Sequence, residues 1–75
     1  MELAMKEQVN KFLDSDEILR SVYEAHQSYG KKIAKMEKKR VLSADDDIEM
    51  KRLKKLKLQK KDELERILRD EHGAL

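Results

Sequence analysis

The sequence predicts an all-α protein: an antiparallel two-helix hairpin, similar to a coiled coil, with a short N-terminal helix. Three observations predict this class. The 75 residues are 45% charged, lack proline and include only two glycines, a composition typical of long helices. A heptad pattern of apolar residues marks the second helical segment, and an apolar stripe marks the third. A short turn signal between these two helices makes them antiparallel neighbours.

The chain is predicted to form one domain, 1–75, that begins with a short helix over 1–13. Apolar residues in this first segment have loosely helical spacing. The group Asp14, Ser15, Asp16 and Glu17 follows and supplies candidate N-caps, and Asp14 with Glu17 has the spacing of a capping box. This group predicts the start of the second helix, which extends over 16–40.

The second helix carries the clearest periodicity in the chain. Its apolar residues alternate between spacings of three and four, so they occupy the a and d positions of a heptad. The residues predicted to form this side of the helix–helix seam are Leu19, Val22, His26, Tyr29, Ile33 and Met36. Among them His26 is a polar interruption at an a position.

A turn over 41–45 separates the second helix from the third one, which extends over 46–69 before a frayed tail over 70–75. Ser43 and Asp46 have capping-box spacing at this turn. Acidic residues at the start of the third helix and basic residues at the end of the second complement the helix dipoles. The third helix contributes Leu53, Leu64 and Ile67 to the predicted seam.

The antiparallel register predicts a polar layer inside the seam, with His26 near Lys60 and Tyr29 near Lys57. We expect His26 and Lys60 to set the register, as single polar residues do in coiled coils. The alternative is a small site for an anion or for a carboxylate of a partner. No cluster of residues has metal-ligand spacing, and no nucleophile can be combined with a base. We therefore expect no catalytic residue, no metal and no cofactor.

Two motifs in the paired helices resemble a known family. They comprise His26, Tyr29, Ile33 and Glu37 on the second helix, and Lys54, Lys55, Lys57, Leu58, Lys61, Asp62, Glu63 and Leu64 on the third. This pattern is similar to the YdcH-like family of very short bacterial proteins, a domain of unknown function. The resemblance covers about residues 19–68. It implies a two-helix hairpin of bacterial origin, often with a short N-terminal helix, and it brings no activity or cofactor.

The composition narrows the classes of function. The net charge is only +2, so no overall field favours nucleic acid. The chain has no cysteine, which excludes disulfides and suits a reducing compartment. Charged residues interrupt every apolar run, so no membrane span and no secretory signal is predicted. We expect a cytoplasmic protein without a membrane partner.

A basic segment within the third helix supplies the main alternative function. It contains seven basic residues and no acidic one: Lys51, Arg52, Lys54, Lys55, Lys57, Lys60 and Lys61. These side chains spread around the helix, and no aromatic residue stands among them for base stacking. A solvated surface is the simpler interpretation, and nonspecific binding of nucleic acid by charge is the alternative.

The charge along the hairpin favours self-association. The net charge is −3 over residues 1–30, +8 over 31–61 and −3 over 62–75, so the turn end is positive and the other end negative. Two antiparallel hairpins would match these ends and bury their remaining apolar faces. We therefore expect a protein–protein interaction or structural module that forms a homodimer or a higher helical bundle, with an unknown protein as a further partner.

Overall fold

A computed structural model describes residues 3–74 and contains three helices: α1 (Leu3–Phe12), α2 (Glu17–Glu37) and α3 (Ala44–Asp70). The helices α2 and α3 form an antiparallel hairpin, and α1 packs against both of them. The molecule is a short rod of 43 × 20 × 17 Å. The predicted all-α hairpin with a short N-terminal helix is confirmed.

The start of α2 differs from the predicted capping box of Asp14 and Glu17. Asp16 is the N-cap, and its carboxylate accepts a hydrogen bond from the backbone N–H of Leu19 at 3.0 Å. The backbone N–H of Asp16 in turn donates to the carbonyl of Phe12 at 3.0 Å. This bond closes the turn after α1 and leaves Asp16 extended, so the cap falls two residues later than Asp14.

The turn between α2 and α3 contains the predicted capping box of Ser43 and Asp46. The N–H of Asp46 donates to Ser43 Oγ at 3.0 Å, and the N–H of Ser43 donates to Asp46 Oδ2 at 3.2 Å. Because Ser43 is the N-cap, α3 begins at Ala44, two residues before the predicted start. The helix α2 ends at Glu37, so the connection is longer than predicted.

The core is thickest at the end of the hairpin away from the turn, which we call the open end. There Met5 and Val9 of α1 pack against buried residues of both α2 and α3. The buried residues of this cluster are Met5, Val9, Leu19, Leu64, Ile67 and Leu68. Towards the turn the buried residues are His26, Ile33, Met50 and Leu53. The other predicted seam residues, Val22, Tyr29 and Met36, are half-buried.

The expectation of a frayed tail is wrong for residues 71–74. Gly73 has a left-handed φ of 60°, a conformation that glycine adopts without steric cost. The chain therefore turns back, and the N–H of Ala74 donates to the carbonyl of Leu68 at 2.8 Å. This return packs Ala74 against the core at the open end.

Candidate functional site

The first candidate site is the side of the hairpin away from α1, which we call the open face. Its apolar residues lie on one stripe of α2 and on the adjoining stripe of α3. They are Ile18, Val22, Ala25, Tyr29 and Met36 of α2 and Leu56 of α3. All but Ile18 are half-buried, and Ile18 is 71% exposed. A continuous apolar stripe is thus only partly covered within one chain.

Two grooves of opposite charge lie along the open face. The acidic groove, about 370 Å³ at the open end, is lined by Asp16, Ile18, Val22, Glu63, Arg66, Ile67, Asp70 and Glu71. The turn groove, about 330 Å³ near the turn, is lined by Lys32, Lys35, Met36, Lys39, Glu49 and Leu53. Among the described residues, none from α1 lines either groove. The side chains give the acidic groove a net charge of −3 and the turn groove +2.

The second candidate site is the polar layer at His26. This side chain is only 5% exposed, and its Nδ1 has no hydrogen-bond partner within the described part of the chain. Burial lowers the pKa of His26, and the positive charges of Lys57 and Lys61 lower it further. The imidazole is therefore neutral near pH 7.

The lysines at this layer differ from those expected. Lys57 lies against Gly30, and its Nζ is 3.7 Å from the point that a Cβ would occupy if residue 30 had one. This places it beside the expected Tyr29, but Lys57 makes no cation–π contact with that ring among residues 3–74. Lys60 Nζ lies 3.4 Å from the Glu63 carboxylate. Two grooves lie beside His26; Lys57 lines both of them, Lys61 lines one, and Lys60 lines neither.

Most of the basic segment is neutralised locally. Four of its seven residues form ion pairs: Lys51 with Asp47 at 3.0 Å, Arg52 with Glu49 at 2.6 Å, Lys54 with Glu37 at 3.7 Å and Lys60 with Glu63 at 3.4 Å. Lys55 is exposed, while Lys57 and Lys61 are half-buried. None of these three has an ion-pair partner in the described ranges. The unpaired charge of the segment is thus reduced to these three residues.

A junction at the open end brings together residues that sequence spacing did not connect. His72 Nε2 lies 2.7 Å from Asp16 Oδ2, and the His72 ring stacks on Phe12 with a centroid separation of 4.0 Å. The N–H of Leu19 and then the side chain of His72 lower the pKa of Asp16. The glycine at position 73 was the one signal for this return of the chain.

The described residues also limit two other kinds of site. Between residues 3 and 74, no three acidic or histidine side chains are grouped so that they could hold a metal ion. In the same range, no helix combines the length and the apolar character needed to cross a membrane.

Fold and candidate sites together define a small α-helical hairpin protein whose open face is only partly covered within the described residues. The chain matches the model of a family described as "Protein of unknown function (DUF465)" over residues 19–68. It belongs to this family, which includes the YdcH-like short bacterial proteins, so the resemblance seen in the sequence is confirmed. Comparison with curated proteins and with solved structures gives no match.

Proposed function

We propose that this chain is a cytoplasmic, self-associating interaction module in which two copies pack antiparallel through their open faces. The observation that carries the proposal is the apolar stripe of the open face with grooves of opposite charge at its two ends. The product is a four-helix bundle with a two-fold axis through the middle of the face. The proposal assigns no catalytic step to the chain.

The apolar stripe supplies the driving force for this pairing. Val22, Tyr29, Met36 and Leu56 are half-buried in one chain, and Ile18 is mostly exposed. Removing apolar surface from water yields about 25 cal/mol per Å², and the faces of paired helices are buried in this way in four-helix bundles. The stripe runs the length of α2, so it suits another long helix pair better than a small ligand.

Charge decides the orientation of the two copies. In an antiparallel pair, the acidic groove of one copy faces the turn groove of the other, and the two-fold axis repeats this contact. In a parallel pair, grooves of like charge would meet, which is unfavourable. Lys32 and Lys35 have no ion-pair partner within residues 3–74, so their charges are available to the acidic groove of the second copy.

Sedimentation equilibrium at low and high salt tests the proposal. We expect a dimer whose affinity falls as salt rises, because screening weakens contacts between exposed charges. The double variant Lys32→Glu and Lys35→Glu should weaken the dimer at least tenfold at low salt. The matched control, Lys31→Glu with Lys55→Glu, makes the same change in charge away from the open face and should have less than a twofold effect.

A compensating variant makes the test specific to orientation. Adding Asp70→Lys and Glu71→Lys to the Lys32→Glu and Lys35→Glu chain reverses the sign of the charge in both grooves, and it should restore the dimer. A wild-type chain that stays monomeric at every concentration would contradict the proposal. A change in mass seen only after addition of a short random oligonucleotide would instead favour nucleic-acid binding through the basic segment 51–61.

A further inference from the structure

The side of the hairpin that carries α1 has a basic cleft just beyond that helix. Two grooves there, about 380 and 250 Å³, share His26 and Lys57. We call them together the His26 cleft; its polar and glycine lining consists of Lys6, His26, Gln27, Gly30, Lys31, Lys54, Lys57 and Lys61. No Asp or Glu of the described chain lines it. The cleft is separate from the open face and from the dimer proposed there.

Two half-buried lysines in this cleft are not neutralised. Lys60, also half-buried, lies beside Glu63, and the exposed Lys54 is 3.7 Å from Glu37. Lys57 and Lys61 have no such carboxylate within residues 3–74, although partial burial of an ammonium group is unfavourable without a counter-charge. An anion in the cleft would supply that counter-charge.

The floor of the cleft contains the buried His26 ring. Buried polar side chains are nearly always hydrogen-bonded, yet the Nδ1 of His26 has no partner among the described residues. The same lysines that line the cleft also lower the pKa of this ring. A bound oxyanion would offset their positive charge and favour the protonated imidazole as an additional donor.

From this geometry we infer that the His26 cleft binds a small multivalent oxyanion of the phosphate class. His26 and Lys57 line both grooves, Lys61 lines the second beside them, and Lys31 and Lys6 line the first, so the anion is held chiefly by Lys57 and Lys61. Lysine serves as a point charge for phosphate groups, and four unpaired ammonium groups suit an anion with more than one negative charge. No aromatic side chain lines the cleft, so it lacks a platform for stacking bases.

Isothermal titration with inorganic pyrophosphate at constant ionic strength tests this inference. We expect saturable binding of one anion per chain. The double variant Lys57→Gln and Lys61→Gln should lower the affinity at least tenfold, with helicity by circular dichroism unchanged. The matched control, Lys51→Gln with Lys55→Gln, removes the same charge from the same helix outside the cleft and should change the affinity less than twofold.

The two histidines provide a second readout in the same sample. Titration followed by NMR should show that pyrophosphate raises the pKa of His26, while the ring resonances of His72, at the junction with Asp16, do not respond to added pyrophosphate. Equal effects on both rings, or equal losses of affinity in the two double variants, would overturn the site in favour of general charge attraction. Tighter binding of a short oligonucleotide that is also weakened by Lys51→Gln and Lys55→Gln would overturn it in favour of an extended nucleic-acid surface. Sedimentation equilibrium of the Lys57→Gln and Lys61→Gln variant tests the anion site independently of the proposed dimer. The inference predicts that this variant self-associates like the wild type.

Discussion

The two ends of the hairpin are built from the same kinds of residue but are packed differently. At the open end, α1 covers the two long helices, and the side chains of Val9, Leu19, Leu64 and Leu68 are fully buried. At the turn end only two helices meet. The core residues there, Ile33 and Met50, keep exposed fractions of 7% and 8%. Two helices leave part of every apolar stripe uncovered, and α1 covers only the side of the hairpin on which it lies, at the open end.

The difference indicates how each end is held in place. The open end has side-chain contacts between segments far apart in sequence, such as the one between His72 and Asp16. The turn end depends on local contacts, namely the capping box at Ser43 and the ion pair of Lys39 with Asp46 at 3.2 Å. Local contacts close the hairpin without covering its apolar surface. The turn end therefore lacks the third helix that completes the core at the open end.

The largest expected effect comes from truncating one leucine at each end. Leu64→Ala, in the core covered by α1, should lower the free energy of unfolding by about 4 kcal/mol because it leaves an enclosed cavity. Leu53→Ala should cost about 2–3 kcal/mol, towards the lower end of the range for such changes. Leu53 lines the turn groove, so water or neighbouring side chains can fill the space. Urea denaturation at one fixed protein concentration measures both values.

Leu58→Ala serves as the control, because that side chain is 57% exposed and its truncation should change stability by less than about 0.5 kcal/mol. A cost for Leu53→Ala equal to or above that for Leu64→Ala would contradict the proposed contrast in packing between the two ends.

The hairpin itself could be predicted from sequence because its determinants are local. Heptad spacing predicted the face that α2 buries, and the spacing of Ser43 and Asp46 predicted the cap of α3. The register of the polar layer was less accurate. Lys57 and Lys61 line the grooves beside His26, whereas Lys60 lies beside Glu63, because which lysines turn towards His26 depends on the rotation of α3 about its axis, which heptad spacing does not fix.

The junction at the open end could not be predicted from spacing. Asp16 and His72 are 56 residues apart in sequence. Polar residues are common just before and just after helices, so neither position indicates a long-range contact. Their contact depends on the length of α3 and on the reversal of the chain at Gly73. The coverage of the core by α1 is non-local in the same way, since short helices of this kind are stabilised by packing more than by propensity.

The next effect compares the two N-caps. Asp16→Ala should destabilise the protein by about 2 kcal/mol, since it removes a cap worth about 1 kcal/mol and a second hydrogen bond, from His72, worth about as much. Ser43→Ala should lower the free energy of unfolding by only about 1 kcal/mol, because it removes a cap alone. Urea denaturation of both variants at pH 7 measures the difference. In the Asp16→Ala background, His72→Ala should then lower the free energy of unfolding only through the lost stacking on Phe12.

The pH dependence of stability sharpens this comparison. The pKa of Asp16 is lowered in the folded state by the N–H of Leu19 and by His72. Its ionised form therefore stabilises the fold above about pH 4, and this contribution is lost as the pH falls further. The gap in unfolding free energy between wild type and Asp16→Asn should narrow from pH 5 to pH 2. A gap that stays constant would mean that the charge of Asp16 does not contribute.

The smallest expected effect lies between the two ends, at His26. His26→Leu replaces a buried ring, whose Nδ1 has no partner in the described residues, by an apolar side chain. Removal of an unsatisfied buried group should stabilise the hairpin by about 1 kcal/mol, or change its oligomeric state if His26 sets the register. Urea denaturation together with sedimentation separates these two results. A loss of more than about 2 kcal/mol would show that the imidazole makes a required polar contact. Its role would then be structural, and the polar layer would belong with the tightly packed open end of the molecule.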